Sequence, residues 1–447
     1  MSGKECFEIL DKIFLPKKME NIENIKGYTM KYGHIVENLK EYDGFEVPES
    51  AIVDEVLVSY FKEPMSYTTE NMCEINTHGG NIVVKKILEL CLKNGAEMAE
   101  PGEFTKRAFL NGRIDLLQAE SVIDIIDAKS ERELKAGMNQ LEGRVSKEIH
   151  DIKQKIMDVM VNVEVDIDYP EYDVEEVTNT EINEMLDVVI ADLSRLEKSF
   201  DNGKILKDGV KTAIIGKPNA GKSSLLNCIL NEERAIVTEI EGTTRDTIEE
   251  FVTVEGVPLK LIDTAGIREA KDEVEKIGIT KSKEIAKDAD LIIAIFDSSK
   301  DLTDEDKEIL DIIKNKTAIV VLNKMDLLNK IDENMAEIKN VSKYIVKMST
   351  LEQKGIDDLY KSIGNLFSME EISLDNTIVI TNIRHKNLIS KALNSCREAK
   401  KSMELGMPLD IIAIFLKEIL ENLGEITGET VTDDIIDEIF SKFCLGK

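Results

Sequence analysis

The sequence is short of positive charge: 57 lysines and arginines face 87 aspartates and glutamates, a formal net charge of −30 over 447 residues. Bulk attraction to nucleic acid or an anionic membrane is thereby excluded, and any RNA contact has to use a local basic patch against the global field. No apolar run approaches the ~20 residues of a membrane span. Met1 to Leu10 contains Lys4 and Glu5 and lacks a signal-peptide hydrophobic stretch, so a cytoplasmic location is expected. Six cysteines without a Cys-x-x-Cys pair, together with only four histidines, exclude a disulfide framework and a zinc site. Cys6, Cys73, Cys91, Cys228 and Cys396 read instead as small buried apolar residues.

What is present is the balance of a soluble globular chain, with 42% hydrophobic and 32% charged residues. At about 150 residues per domain the length allows about three domains. Residues 1 to about 110 mix strand-like runs such as Ile52 to Phe61 with Gly and Pro punctuation, a turn at His78-Gly79-Gly80 and a helix over Ile82 to Leu92, an α+β pattern. From Asp115 the pattern becomes helical. Apolar residues at 134, 138, 141, 145, 149, 152, 156, 159 and 163 predict one long amphipathic helix. Glu164 to Asp187 carries acidic and no basic side chains and reads as a solvated loop. A further helix is expected from about Glu181 to Phe200, ended by Asp201-Asn202-Gly203.

Between Val210 and about Phe367 strands and helices alternate, and several strands are continuous apolar runs, as buried parallel strands require. Three helices follow, over Arg384 to Leu405, Leu409 to Leu423 and Thr432 to Phe443. Helix on both sides of an α/β block suggests a block inserted into one helical domain.

Gly216-Lys217-Pro218-Asn219-Ala220-Gly221-Lys222-Ser223 lies between an apolar strand and a helix and fits a phosphate loop. Its glycines let backbone N–H groups close around phosphates, Lys222 reaches the β and γ oxygens, and the Ser223 hydroxyl binds Mg²⁺. Asp263-Thr264-Ala265-Gly266 ends another apolar strand, which places a carboxylate near the metal and an N–H near the γ-phosphate. In Asn323-Lys324-Met325-Asp326 the final carboxylate can accept two hydrogen bonds from guanine, whereas adenine would leave it unpaired, so the base is guanine. Ser349-Thr350 can bring a backbone N–H to the guanine oxygen. In Gly242-Thr243-Thr244-Arg245-Asp246 we take Thr244 as the second Mg²⁺ hydroxyl. Ile267 stands where Ras-like enzymes carry a water-orienting glutamine and cannot hold water. The residues leave Glu269, Asp272, Glu273 and Glu275 open as its replacement.

These motifs, with SYTTENMCEINTHGG, PGEFTKRAFLNGRIDLLQAE, GKPNAGKSSLLN, IVTEIEGTTRD, DTAGIREAKDEVEKIGI and a terminal FCLGK, resemble the tRNA modification GTPase family known as MnmE or TrmE over nearly the whole chain. The resemblance implies an N-terminal α+β folate-binding and dimerising domain (1–110), a discontinuous helical domain (111–207 and 373–447) and an inserted Ras-like P-loop G domain (208–368). It implies GTP contacts from Asn219, Ala220, Gly221, Lys222, Ser223 and Ser224, from Thr238, Glu239, Ile240, Glu241, Gly242, Thr243 and Thr244, and from Asp263, Thr264, Ala265 and Gly266. Asn323, Lys324, Asp326, Ser349 and Thr350 complete that set. K⁺ would be held by Asn219, Thr238, Ile240 and Thr243, in the place where other GTPases receive an arginine finger. Glu275 matches the family's water-orienting glutamate.

A one-carbon tetrahydrofolate, 5,10-methylene or 5-formyl, would be bound by Glu74, Arg113 and Lys447, with Cys444 nearby. By the same resemblance the chain works as a homodimer. It would join an FAD-dependent partner of the MnmG/GidA family in a heterotetramer that forms the 5-carboxymethylaminomethyl-type modification of wobble uridine in certain tRNAs. Arg384, Lys386, Lys391, Arg397, Lys400 and Lys401 are the candidate tRNA contact. The chain begins about twenty residues into the usual family sequence, so a first strand and a folate-contacting arginine are expected to be missing. The runner-up reading is a GTP-dependent switch that binds ribosomal RNA or an assembly factor without modifying chemistry.

Overall fold

The computed structural model describes residues 1–18, 27–42, 47–168, 175–230, 250–262, 278–331, 336–367 and 378–446. These fall into two compact units, Met1–Ile123 with Gly424–Lys447, and Asp124–Leu423.

In the first unit β1 (Phe14–Pro16), β2 (Thr29–Val36), β3 (Ile52–Phe61) and β4 (Met72–Asn76) form an antiparallel sheet in sequence order. The period of two along β3 sends Val56, Val58 and Tyr60 into the core and Leu57 out. That core is closed by Leu10 of α1 (Cys6–Asp11) and by Ile87, Leu90 and Cys91 of α2 (Asn81–Lys93). Gly102 takes a φ of +68° ahead of α3 (Glu103–Leu110), where a Cβ would come within 2.8 Å of the Phe440 carbonyl and 2.9 Å of Phe443. The last helix therefore docks against α3. The chain passes between the units within α4 (Leu116–Ile126).

The second unit begins with α5 (Glu131–Leu141), capped by Ser130, whose hydroxyl accepts the Glu133 N–H. α6 (Arg144–Asp168) and α7 (Glu175–Asp208) follow. The expected single helix over 134–163 is thus two: Gly143, at φ +79°, breaks it while the apolar stripe continues across the break. The expected loop over 164–187 is also corrected, since α6 runs to Asp168 and α7 starts at Glu175. Nor does Asp201-Asn202-Gly203 end a helix. Gly203 is interior to α7, and a Cβ there would lie 2.0 Å from the Ile380 carbonyl, so the glycine serves close packing.

Six strands follow, β5 (Val210–Ile215), β6 (Glu250–Val254), β7 (Val257–Leu261), β8 (Leu291–Asp297), β9 (Ala318–Asn323) and β10 (Tyr344–Lys347). Their order is β10-β9-β8-β5-β7-β6, parallel except for the β6–β7 hairpin. All seven residues of β8 are buried, with Ile293 and Ile295 in one core and Ile292, Ala294 and Phe296 in the other. A strand covered on both faces needs this continuous apolar run, and each such side chain contributes about 1.5–3 kcal/mol on burial. The covering helices are α8 (Lys222–Leu230), α9 (Gly278–Asp288), α10 (Asp304–Ile313), the short α11 (Ala336–Lys339) and α12 (Ile356–Leu366).

The helices α13 (Ile383–Glu404), α14 (Leu409–Thr427) and α15 (Asp433–Ser441) end the chain close to their expected bounds. α13 returns against α7, with Ser390 donating to Glu197, Lys400 paired with Asp187, and Lys386 over the Phe200 ring. At the far edge of the sheet, Lys129 lies 3.8 Å over the Phe251 ring, and a Cβ on Gly256 would meet Arg132 at 2.4 Å. The start of α5 is thereby seated on the β6–β7 hairpin. Among the described residues no helix is long and apolar enough to cross a membrane. Cys6, Cys73, Cys91 and Cys396 are buried, and Cys228 is half-buried against the core of the second unit, its thiol 3.8 Å from the Thr350 carbonyl.

Candidate nucleotide-binding site

From β5 the chain continues to the β6–β7 hairpin on one side, then crosses to β8 on the other, so the crevice at the carboxyl ends of β5 and β8 is a topological switch point. The phosphate loop leaves β5 there and runs into α8, whose first-turn N–H groups have no intrahelical acceptor and suit an anion. Gly216 approaches β8 so closely that a Cβ would sit 2.5 Å from the Ile295 carbonyl. At Gly221, with φ +114°, a Cβ would lie 2.1 Å from Asn323 Nδ2. Both glycines are required by close approach as well as by backbone freedom.

Asn323 is fully buried and ties three motifs together. Its Nδ2 donates to the Ala220 carbonyl at 2.9 Å and to Thr350 Oγ1 at 3.2 Å, and its Oδ1 accepts the Thr350 N–H at 3.0 Å. Ser349 Oγ donates to Asp326 Oδ1 at 2.6 Å and so orients the exposed carboxylate that can read a guanine edge. Lys222 Nζ donates to the carbonyls of Gly216 and Lys217 at 2.7 and 2.9 Å. Burial holds its pKa below the usual lysine range. Ser223 and Ser224 are exposed on the first turn of α8, and Asn219 is exposed at a left-handed φ of +63°, which asparagine tolerates.

The donor set suits the groups expected here. The glycine-lined loop offers backbone N–H groups to a triphosphate, the Ser223 hydroxyl is a hard oxygen for Mg²⁺, and the Asn219 amide is an oxygen donor for a monovalent cation. Thr238, Glu239, Ile240, Glu241, Gly242, Thr243, Thr244, Asp263, Thr264, Ala265, Gly266 and Glu275 lie outside the described residues, as does Lys447.

Two polar groups in this crevice belong to no motif role read from the sequence. Asp297, the last residue of β8, pairs with Lys324 Nζ at 2.7 Å and accepts the Ser299 N–H and hydroxyl. Burial would raise its pKa, but the hydrogen bonds from Lys324 and Ser299 outweigh it and hold the carboxyl below the usual range. Lys217 pairs with Asp306. The available signal for Asp297 was an acidic residue closing a wholly apolar strand. Lys217 had none beyond its place in the loop.

Of the residues matched to folate, Arg113 borders a cavity of about 390 Å³ in the first unit, lined also by Tyr28, Phe61, Met65 and Tyr67. Its guanidinium lies 4.8 Å from the Tyr67 ring centroid and donates to the Tyr67 carbonyl at 2.8 Å. A cavity walled by aromatic rings and a cation fits a flat heteroaromatic group. Glu74 is not among its lining residues; it stands exposed on β4, opposite Ser59. Cys444 is exposed, and its carbonyl accepts the Gly102 N–H. Of the basic residues on α13, Lys400 and Lys401 are engaged with Asp187 and Glu398, and Lys386 with Phe200.

Residues 116–444 match the family described as the MnmE helical domain, and residues 1–113 match the GTP-binding protein TrmE N-terminus. The whole chain is 50% identical to 95% of the tRNA modification GTPase MnmE of Thermoanaerobacter pseudethanolicus. It is 48% identical, at the same coverage, to the protein of that name from Clostridioides difficile. Among solved structures, the G domain of the T. maritima FeoB iron transporter is 25% identical over 35% of this chain and 98% of that one, with a TM-score of 0.26.

Proposed function

Because the chain belongs to the MnmE family of tRNA modification GTPases, we propose that it is a K⁺-stimulated enzyme acting on wobble uridine together with a flavin-dependent partner. It is a GTP hydrolase of tRNA modification, and GTP is the nucleotide it binds. The observation that supports the nucleotide site of this reading is the buried Asn323, which joins the phosphate loop, the Asp326 turn and the Ser349-Thr350 turn in one crevice.

In this reading the β- and γ-phosphates enter the loop over residues 219–224, and Lys222 exchanges the Gly216 and Lys217 carbonyls for phosphate oxygens. Asp326 accepts the two guanine donors while Ser349 keeps the carboxylate aimed. Ser223 and Thr244 would hold Mg²⁺, and Asn219, Thr238, Ile240 and Thr243 would hold K⁺. Bound there, these cations supply positive charge against the developing charge on the phosphates. Glu275 would orient the attacking water, taking the role that Ile267 cannot fill.

The one-carbon tetrahydrofolate is proposed to use the Arg113–Tyr67 cavity, with Glu74 and Lys447 as further contacts, in a homodimer built on residues 1–110. Residues 111–207 with 373–447 and residues 208–368 are proposed as the helical and G domains. The packing of α13 on α7 across the intervening sheet strands supports that partition. The basic residues of α13 are the proposed contact to tRNA, the partner is an FAD-dependent protein of the MnmG/GidA family in a heterotetramer, and the site of action is the cytoplasm.

Mass spectrometry of wobble uridines in a deletion strain tests the modification role. Loss of the 5-carboxymethylaminomethyl-type nucleoside is expected, whereas unchanged nucleosides would sink it and leave a GTP-dependent switch. Turnover measured in potassium and in sodium buffer tests the cation separately, and equal rates would remove it.

A further inference from the structure

We propose that Lys217 and Asp306 form a clamp that positions the crest of the phosphate loop, Lys217-Pro218-Asn219, for hydrolysis of GTP and not for its binding. Lys217 Nζ lies 2.6 Å from Asp306 Oδ2 and donates to Thr303 Oγ1 at 2.8 Å. The same Asp306 oxygen accepts the Thr303 N–H and hydroxyl, both at 2.9 Å, as the capping box of α10. Asp306 is only 3% exposed, so these donors take the place of water around its carboxylate.

A second lysine in a phosphate loop would ordinarily compete for phosphate. Here its ammonium is committed sideways to the first turn of α10, which leaves Lys222 as the lysine free to turn toward the nucleotide. The crest is consequently pinned on both sides. Lys217 holds its start through α10, and Ala220 holds its end through the carbonyl that accepts from Asn323. Asn219 stands between the two pins, at φ +63° and exposed. Releasing one pin lets the crest turn and the Asn219 side chain swing, while the N–H groups of 221–224 stay fixed at the start of α8.

Lys217 is thus a positioning residue that acts through Asn219, and the proposal rests on the reading of Asn219 as a ligand of the monovalent cation. The test uses the full-length chain with GTP and Mg²⁺ across a potassium titration. Lys217→Met is expected to lower kcat by about 10- to 100-fold, the cost of misplacing a group by roughly 1 Å. It should also raise the half-activating potassium concentration and leave the GTP Kd within about threefold, since a group acting only in the transition state does not move ground-state affinity. Lys217→Arg, which keeps the charge and the donors, should restore most of the rate. Asp306→Asn should reproduce the Lys217→Met defect, and the double variant should be no worse than the poorer single one, as residues of one pair are non-additive.

A normal kcat and potassium response in Lys217→Met would overturn the clamp. So would a collapse of GTP affinity, which would put Lys217 on the phosphates. If Lys217→Met does not fold, Asp306→Asn beside Lys217→Arg carries the same comparison. A wild-type enzyme indifferent to potassium removes the cation reading, and the kcat-against-Kd split of the variants then still decides the clamp.

Discussion

Glu133 sits where α5 meets the β6–β7 hairpin, and its titration tests how that seat is held. The residue is 7% exposed, and its carboxylate accepts the Lys129 N–H at 2.6 Å. Burial pushes its pKa up to about 7, with Asp124 adding to the rise and the Lys129 N–H and the Lys129 and Lys207 charges opposing it. Lys207 pairs with Asp124 at 2.7 Å, so the neighbouring ammonium is committed elsewhere. An unfolded chain ionises this carboxyl near 4.5, so between pH 4.5 and 7 the folded state keeps a proton that the unfolded state has lost. Its stabilising contribution is whole below 4.5 and is lost as the pH rises through 7. Linkage over this interval makes the loss between pH 5.5 and 8 about 2 kcal/mol. Glu133→Gln cannot titrate and keeps an oxygen for the Lys129 N–H. In thermal melts followed by circular dichroism, the variant should gain on the wild type from pH 5.5 to 8 by about 3 °C, given the size of the unit that carries it. A gap that stays constant with pH, or a variant that falls behind at pH 8, would refute the reasoning.

Two further outcomes follow from the nucleotide crevice, and a third from the role proposed for Glu275. Gly221→Ala puts a Cβ 2.1 Å from Asn323 Nδ2 and should weaken GTP binding by at least about 100-fold, as an unpaired Asn323 network and a strained φ of +114° together exceed 2.7 kcal/mol or so. An unaltered affinity for a fluorescent GTP analogue would show that this cradle is not the site. Asp326→Asn replaces an acceptor by a donor and should shift preference from GTP to xanthosine triphosphate, whose ring carries a carbonyl in place of the amine; competition between the two nucleotides reads it out. Glu275→Ala should keep GTP binding and slow turnover, and a normal rate would reassign the water-orienting role.

What was legible in the sequence divides along a physical line. The β8 and β9 strands could be read because burial on both faces leaves an unbroken apolar run, and the phosphate loop because phosphate chemistry fixes both residue types and spacing. Gly143 could not be read as a break, since apolar residues at 141 and 145 keep the helical step across it, and only the backbone dihedral shows the turn. Gly203 was misread as a terminator because its partner, the carbonyl of Ile380, lies on a segment far along the chain. The same distance hides the ties within the crevice: Lys217 reaches Thr303 across 86 positions, and Asn323 reaches Ala220 across 103.

A motif records what a ligand demands, and the ligand is the same wherever the motif occurs. A tie between motifs records only that two strand ends came to lie side by side, and many complementary pairs would satisfy that. Lys217 and Asp306 are one such pair. Their role therefore lies in their geometry, with Asp306 buried at the start of α10 and the Lys217 ammonium paired to it. It follows that exchanging this pair for another complementary one should cost less than removing either member, whereas no exchange at Gly221 should be tolerated.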